Sequence, residues 1–289
     1  MSRVAVVTDS ASDFDPGRAA SLGITIVPLI VTFGTETFSA GVDLTRDAFW
    51  AKLKAPGSLF PTTAACSPGT FQTAYQAAFD AGADSIVSVH VAGTLSGTIK
   101  SAEVARAMFK DRDIRIVDST SASMGEGMLA ELAVALAAEG KSAEEIARIL
   151  EGRRPDLQVY LALETLEYLK RGGRISGASA AIGTLLAVKP IIEIKDGKVE
   201  TAERVRTRGK AREKLVELFA VRPMDRLSIL HTTDAGVEEF AERLIAAIPE
   251  GMDRSKVTID LVGPSVGPHL GPGCVGAVAM YTEASRPAA

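Results

Sequence analysis

The chain has 289 residues, of which 46% are hydrophobic and only 5% aromatic, with a formal charge of −4 and a pI near 5.6. That length points to two domains of roughly 100–200 residues, each able to bury a core, and the acidic balance lacks the basic footprint of a general nucleic-acid binder. No apolar run reaches the ~20 residues of a membrane helix, and the four apolar residues after Arg3 are too few for a secretion signal, so a cytoplasmic protein with no stable membrane insertion is expected.

In chain order, Val4 to Val7 reads as a buried strand, Ser85 to Val89 as a second and Ile114 to Val117 as a third. Each is followed by small or polar residues and then a helix-compatible stretch, the grammar of right-handed βαβ units. Ser142 and Glu145 form a capping box ahead of Ala143, Ile146, Ala147 and Leu150 at helical spacing, which predicts a helix there. After Arg154-Pro155 the pattern changes. Ile191 to Ile194 and Lys198 to Glu200 flank Asp196-Gly197, a hairpin signal that a purely parallel sheet would not contain. Further on, the Leu227 to Leu230 run reads as a strand, and Asp234 can cap a helix whose stripe is Val237, Phe240, Ala241, Leu244, Ile245 and Ile248. The expected fold is therefore α/β in two domains: an N-terminal parallel-sheet domain over residues 1–155 and a C-terminal mixed-sheet domain over 156–289, with the ligand between them.

Four polar loops end apolar runs, and strand-to-helix turns are where open α/β sheets bind ligands. The first carries Asp9 and Ser10, and another carries Asp118 and Ser119 after the Ile114 strand. Gly93-Thr94-Leu95-Ser96-Gly97-Thr98 follows the strand ending near His90 and Val91. Ser96 is read there as an N-cap, so that an anion would meet free N–H groups, a helix dipole and a hydroxyl together. Ser67-Pro68 is a helix start with proline at its first position, with Thr63 just outside it. Gly263 to Gly273 is dense in glycine and proline, reads as a rigid loop rather than a helix or strand, and presents His269. His90 reads as core. For each of these loops, plain helix capping is the competing reading.

Taken in order, the motifs make a stronger pattern than any one loop. They are Val-Thr-Asp-Ser near the N-terminus, Thr-x-x-x-Ser-Pro-Gly-x-Phe from Thr63, Leu-Ser-Gly-Thr around Ser96, Asp-Ser-x-Ser-x-Ser-Met-Gly from Asp118, Leu-Lys-Arg-Gly-Gly-Arg-Ile-Ser-Gly over 169–177 and Val-Gly-x-His-x-Gly-Pro-Gly around His269. This order resembles the DegV family of fatty-acid-binding proteins over almost the whole chain. The resemblance implies that a long-chain fatty acid such as palmitate is bound with its carboxylate on Thr63 and Ser96 and with His269 close by. Asp9, Ser10, Gly97, Thr98, Asp118 and Ser119 would support the ligand loops. It also implies a carrier rather than an enzyme, similar to the acyl-carrying subunit of bacterial fatty acid kinase. One departure stands out: the family commonly has Thr-Ser-Gln-Pro where this chain has Thr63-Ala64-Ala65-Cys66, so two polar side chains beside the threonine are missing.

An enzyme alternative is a serine hydrolase using Ser96, His269 and Asp118, although the glycines around Ser96 are wrongly placed for a nucleophile elbow. No cofactor or metal is expected, because there is no dinucleotide fingerprint after the first strand and the His, Cys and acidic residues lack ligand spacing. Cys66 and Cys274 read as reduced thiols. Arg171, Arg174 and Arg206 belong to basic clusters in an otherwise acidic chain and are a candidate docking face for a kinase partner, since the chain has no recognisable nucleotide-binding motif of its own.

Overall fold

The computed structural model describes residues 3–175, 188–232 and 236–286. The chain forms two compact units, one of residues 1–154 together with Gly263–Ser265, the other of Pro155–Val262 and Val266–Ala289. The return of Gly263–Ser265 to the first unit is a long-range event that a single cut along the sequence leaves out.

The first unit runs β1 (Val4–Asp9), α1 (Pro16–Leu22), β2 (Ile24–Val27), β3 (Ile30–Phe33), β4 (Glu36–Ser39), α2 (Arg46–Lys54), β5 (Thr62–Ala64), α3 (Pro68–Asp80), β6 (Ser85–His90), α4 (Thr98–Arg106), β7 (Asp113–Asp118), α5 (Met124–Ala138) and α6 (Ala143–Arg153). Its main sheet is parallel, in the order β2-β1-β6-β7. Val7, Ile86, Val87, Val89 and Val117 are completely buried, as expected for a sheet covered on both faces. A second, antiparallel sheet of order β4-β3-β5 was not visible in the sequence pattern, because its strands have only three or four residues. Ser67 caps α3 with Pro68 in its first turn, and the Ser142–Glu145 capping box opens α6.

The second unit runs β8 (Leu157–Ala162), α7 (Glu167–Arg171), β9 (Lys189–Lys195), β10 (Lys198–Val205), α8 (Arg208–Phe219), β11 (Met224–His231), α9 (Val237–Ala247), β12 (Val257–Leu261), α10 (Gly267–Leu270) and β13 (Val275–Tyr281). The sheet is mixed, of order β10-β9-β8-β13-β11-β12, with only the β11–β12 pair parallel. The expected hairpin is present: Asp196 and Gly197 take φ values of 49° and 74°, which a two-residue turn of this hand requires. Val237, Phe240, Ala241 and Leu244 bury the α9 stripe against Phe219, Leu215 and Ile229. The proposed cap, Asp234, lies outside the described residues.

Candidate functional site at the strand ends of the first unit

The strand order of the parallel sheet places β1 between β2 and β6, so successive connections leave β1 in opposite directions. Ligands of open α/β sheets bind outside the carboxyl ends of the strands at such a switch point. Here those ends are Thr8 and Asp9 on β1 and His90 on β6. The turns that follow carry Ser10 and, after Gly93, Ser96.

Side-chain bonds knit these turns together. Asp9 Oδ1 accepts from the Ala11 amide at 2.9 Å, and Asp9 Oδ2 accepts from His90 Nδ1 at 3.0 Å and from the Val91 amide at 3.2 Å. Asp118, next to β6 on β7, accepts from Gly93 N at 3.2 Å and from Thr120 N at 2.8 Å. The Ala92 amide donates to the Ser121 carbonyl and the Ser119 amide to the His90 carbonyl, at 2.8 and 3.0 Å. Asp13 accepts from Ser123 Oγ at 2.6 Å and from the Gly263 amide at 2.8 Å, and Ser10 Oγ meets Ser265 Oγ at 2.7 Å. Gly263 lets the backbone approach this carboxylate closely: a Cβ there would lie 2.9 Å from Asp13 Oδ1, which would have to shift.

Ser96 stands one residue before its expected position. Gly97 is the N-cap of α4 and makes no side-chain cap bond, while Ser96 Oγ accepts from the Thr98 amide at 3.3 Å and pairs with Thr98 Oγ1 at 2.7 Å. Two Ala92-anchored turns, Leu95 N and Ser96 N to the Ala92 carbonyl, tighten the chain before the helix and displace the serine outward. The hydroxyl is half-buried beside the helix start. Thr63 lies in the middle of β5, paired with Val31, and is also half-buried. The two segments are neighbours, since a Cβ on Gly97 would come 3.8 Å from Ala65 Cβ. The fold thus brings the Thr63 segment, the Ser96 turn and the Asp9 and Asp118 loops to one end of the sheet. Cys66 and Cys274 are both buried thiols, and burial, aided by the charge of Asp9, pushes the Cys66 thiol up to about 12.

The serine–histidine–aspartate arrangement finds no support within this unit. Ser96 Oγ is engaged with Thr98, and the Asp118 oxygens are held by backbone amides. The unit also contains a cavity of about 510 Å³ bordered by Ser10, with apolar walls from Phe14, Ala19, Ile24 and Ile26 and a rim that includes Asp13 and Arg46. Its size falls in the range of small-molecule pockets.

His269 belongs to the second unit. The Gly263–Gly273 segment is not all loop: Gly267–Leu270 forms one helical turn with Pro268 in its first positions, where a missing N–H costs nothing. The end of α7 closes on this turn. A Cβ on Gly172 would be 2.2 Å from His269 Nδ1, and one on Gly271 2.3 Å from the Tyr168 ring, so the first glycine of the Gly172-Gly173 pair makes room for the imidazole. Burial, with the nearby Arg174 charge, lowers His269 from 6.5 to about 4. The ring is therefore favoured in its neutral form at pH 7. Arg171 ends α7 and is exposed, Arg174 is half-buried with Nη1 donating to the Gly172 carbonyl at 2.7 Å, and Arg206 is exposed just after β10. Their neighbours Arg208 and Lys210 are paired with Glu164 and Glu213. Ser176 and Gly177 of the motif lie outside the described residues.

A DegV family profile, described as an uncharacterised protein family, matches residues 3–282. This chain belongs to the DegV family. A DegV domain-containing protein of Streptomyces coelicolor is 35% identical over 285 residues, covering 96% of this chain and 99% of the relative. A Thermus thermophilus DegV family protein, whose structure is described as fatty acid binding, superimposes with a TM-score of 0.89 at 35% identity over 97% of this chain and 100% of that one. Bacillus subtilis DegV, described as a fatty acid binding protein, gives a TM-score of 0.86 at 30% identity over 98% and 100%.

Sequence reading missed the groups buried deepest in this DegV protein. Glu126, on the first turn of α5, is completely buried and accepts from Thr8 Oγ1 at 2.7 Å. His90 is core by burial, yet both ring nitrogens are engaged, Nε2 with Ser88 Oγ at 2.7 Å and Nδ1 with Asp9. The available signal was a lone acid inside Met124-Gly125-Glu126-Gly127-Met128-Leu129. An isolated carboxyl in an apolar helical run must find a polar partner in the interior.

Proposed function

We propose that this protein binds a long-chain fatty acid such as palmitate, with its carboxylate on the hydroxyls of Thr63 and Ser96 and His269 close by, and presents it to a fatty acid kinase partner. The observation that carries this reading is the convergence of the Thr63 segment and the Ser96 turn at the switch point of the parallel sheet. The fatty-acid-binding descriptions of the Thermus and Bacillus relatives support the ligand class.

The energetics divide the work between tail and head group. Burying about 15 methylenes at ~0.8 kcal/mol each offers on the order of 12 kcal/mol before the costs of association. A hydrogen bond to a charged group contributes ~1.5–3 kcal/mol. The tail supplies affinity and the hydroxyls fix orientation. A neutral His269 can donate one hydrogen bond to a carboxylate without adding charge. Arg171, Arg174 and Arg206 then form the face to which the kinase docks.

The test is extraction of ligand from protein purified from a bacterial host, followed by palmitate titration. A long-chain fatty acid in near-stoichiometric amount is expected, and Ser96→Ala and Thr63→Val should each weaken palmitate binding by about 10- to 100-fold, the equivalent of ~1.5–3 kcal/mol. No acyl ligand and no palmitate binding would reject the reading. Unchanged affinity in both variants would move the carboxylate elsewhere.

A further inference from the structure

Beneath the Ser96 turn lies a chain of buried polar groups that the carboxylate site does not use. Thr8, Asp9, Ser88, His90 and Glu126 are all completely buried, and Tyr75 with them. Asp9 can only accept, so His90 Nδ1 carries a proton toward it at 3.0 Å. With one proton on the ring, Ser88 Oγ donates to Nε2 at 2.7 Å and Tyr75 donates to Ser88 at 2.9 Å. Phe71 packs edge-on to the imidazole at 4.9 Å. Every polar atom of that branch has a partner.

The Glu126 end is different. Oε1 accepts from Thr8 Oγ1 and, at 3.3 Å, from the Asp9 amide, whereas Oε2 is buried with no donor. One oxygen from each of Asp9 and Glu126, with a ring nitrogen of His90, lies within 4.8 Å of the others. Two anionic carboxylates cannot share such a site without a compensating cation or a proton. A divalent cation would have to break the His90–Asp9 and Val91–Asp9 bonds, since both imidazole nitrogens and Asp9 Oδ2 are already engaged. A proton needs no rearrangement.

We propose that Glu126 is held as the neutral acid with its proton directed to Asp9, a proton lock that fixes the Ser96 turn and loosens it as the pH rises. The mechanical link is short. Asp9 Oδ2 holds the Val91 amide, and the next residue, Ala92, holds both Leu95 N and Ser96 N on its carbonyl. Removing the proton places a second negative charge beside Asp9 and weakens the anchor of that turn.

The surroundings favour the neutral acid. Burial first and the charge of Asp9 second raise Glu126 well above the usual carboxylate range, against the opposing bonds from Thr8 and the Asp9 amide. Its place in the first turn of α5 also opposes this, because a helix start favours a carboxylate by about 0.3–1 kcal/mol, too little to offset full desolvation. The elements packed on α5 present few other charges. β1 contributes Asp9, β6 His90, and the turn after β1 Asp13, whose carboxylate is occupied by Ser123 and Gly263. Arg18 of α1 pairs with Glu131, further along α5, at 2.5 Å. The buried residues of α6 are the apolar Ala143, Ile146 and Leu150. The buried Cys66 thiol is near enough to Asp9 to be raised by its charge.

The effect on ligand rests on the head-group reading above, so the decisive experiment reads the proton without ligand. Carbon-13 NMR of glutamate-labelled protein, titrated from pH 3 to 10, should show one glutamate carboxyl changing ionisation well above the ordinary carboxylate range that is missing in Glu126→Gln. If every glutamate carboxyl titrates in the ordinary acidic range, the lock is rejected. In parallel, melting of the wild type should fall, as the pH rises above the ordinary carboxylate range, by about 4 °C more than that of Glu126→Gln, whose amide keeps a donor toward Asp9, and palmitate affinity should weaken over the same interval only in the wild type. Parallel melting curves would overturn the proposal. A divalent cation that stabilises the wild type but not the variant at pH 7 would overturn it in favour of a metal. If palmitate binds at no pH the proposed function fails, while the NMR titration still decides the proton. Should Glu126→Gln not fold, assignment of the late-titrating carboxyl by its through-space contacts to Thr8 and Asp9 in the wild type replaces the variant, and its absence rejects the lock.

Discussion

The main sheets of the two units solve the same burial problem in opposite ways. In the second unit, β13 is buried along its whole length with Val275, Ala277, Val278, Ala279 and Met280, and Phe219, Leu215, Phe240 and Leu244 close over one face. Its buried side-chain hydrogen bonds include Ser228 to Asp260 at 2.7 Å, Thr232 Oγ1 to the Gly271 carbonyl at 2.7 Å and the Tyr281 hydroxyl to the Phe219 carbonyl at 3.0 Å. In the first unit, the two central strands β1 and β6 end in Thr8, Asp9, Ser88 and His90, none with measurable exposure. Apolar burial needs only shape and volume, while each buried polar atom needs a partner or costs about 1–3 kcal/mol. The second unit's sheet is therefore dominated by apolar packing, whereas the central strand ends of the first depend on a buried polar network.

The contrast can be tested from the stronger effect to the weaker. Phe219 is fully buried and stacks edge-on against Tyr160 at 5.3 Å. Phe219→Ala should destabilise the second unit by about 3–5 kcal/mol, with no pH dependence of its own, as measured by denaturant unfolding at pH 6 and pH 9. A pH-dependent loss would mean that this core is not purely apolar.

His269 is the exception within the second unit, and it gives an effect of intermediate size. Its folded value is lowered from 6.5 to about 4, so between those values the unfolded chain binds more protons than the folded one. The stabilisation is present above pH 6.5 and is lost as the pH falls toward 4, an effect of about 2 kcal/mol at 1.36 kcal/mol per unit after allowance for partial exposure. His269→Gln should flatten this part of the stability profile. An identical acid limb in wild type and variant would show that the imidazole is freely protonated.

The smallest thermodynamic effect is expected at the basic face. Arg171 and Arg206 are exposed, and charges at an interface rim act chiefly on association rate and salt dependence. Reversing both to Glu should leave stability and palmitate affinity nearly unchanged while slowing acyl-phosphate formation with a cognate kinase, most at low ionic strength. Full activity at every salt concentration would return these arginines to the solvated surface.

What the sequence determined by itself was everything carried by local rules. The β-branched runs of β1, β6 and β7, the Ser67-Pro68 and Ser142–Glu145 helix starts and the Asp196-Gly197 hairpin are each specified within a few residues, because capping, turn geometry and hydrophobic period are short-range properties. The order of the motifs was enough to indicate the family. Tertiary structure decided what depends on partners distant in the chain. β5 joins the short antiparallel sheet because Thr62 to Ala64 pair with the distant Ile30 to Thr32, and Gly172 is glycine because His269, almost a hundred positions on, packs against it. Glu126 is an interior acid rather than a surface one because α5 lays its first turn on Thr8 and Asp9, and the desolvation that sets its protonation exists only once both strands are in place.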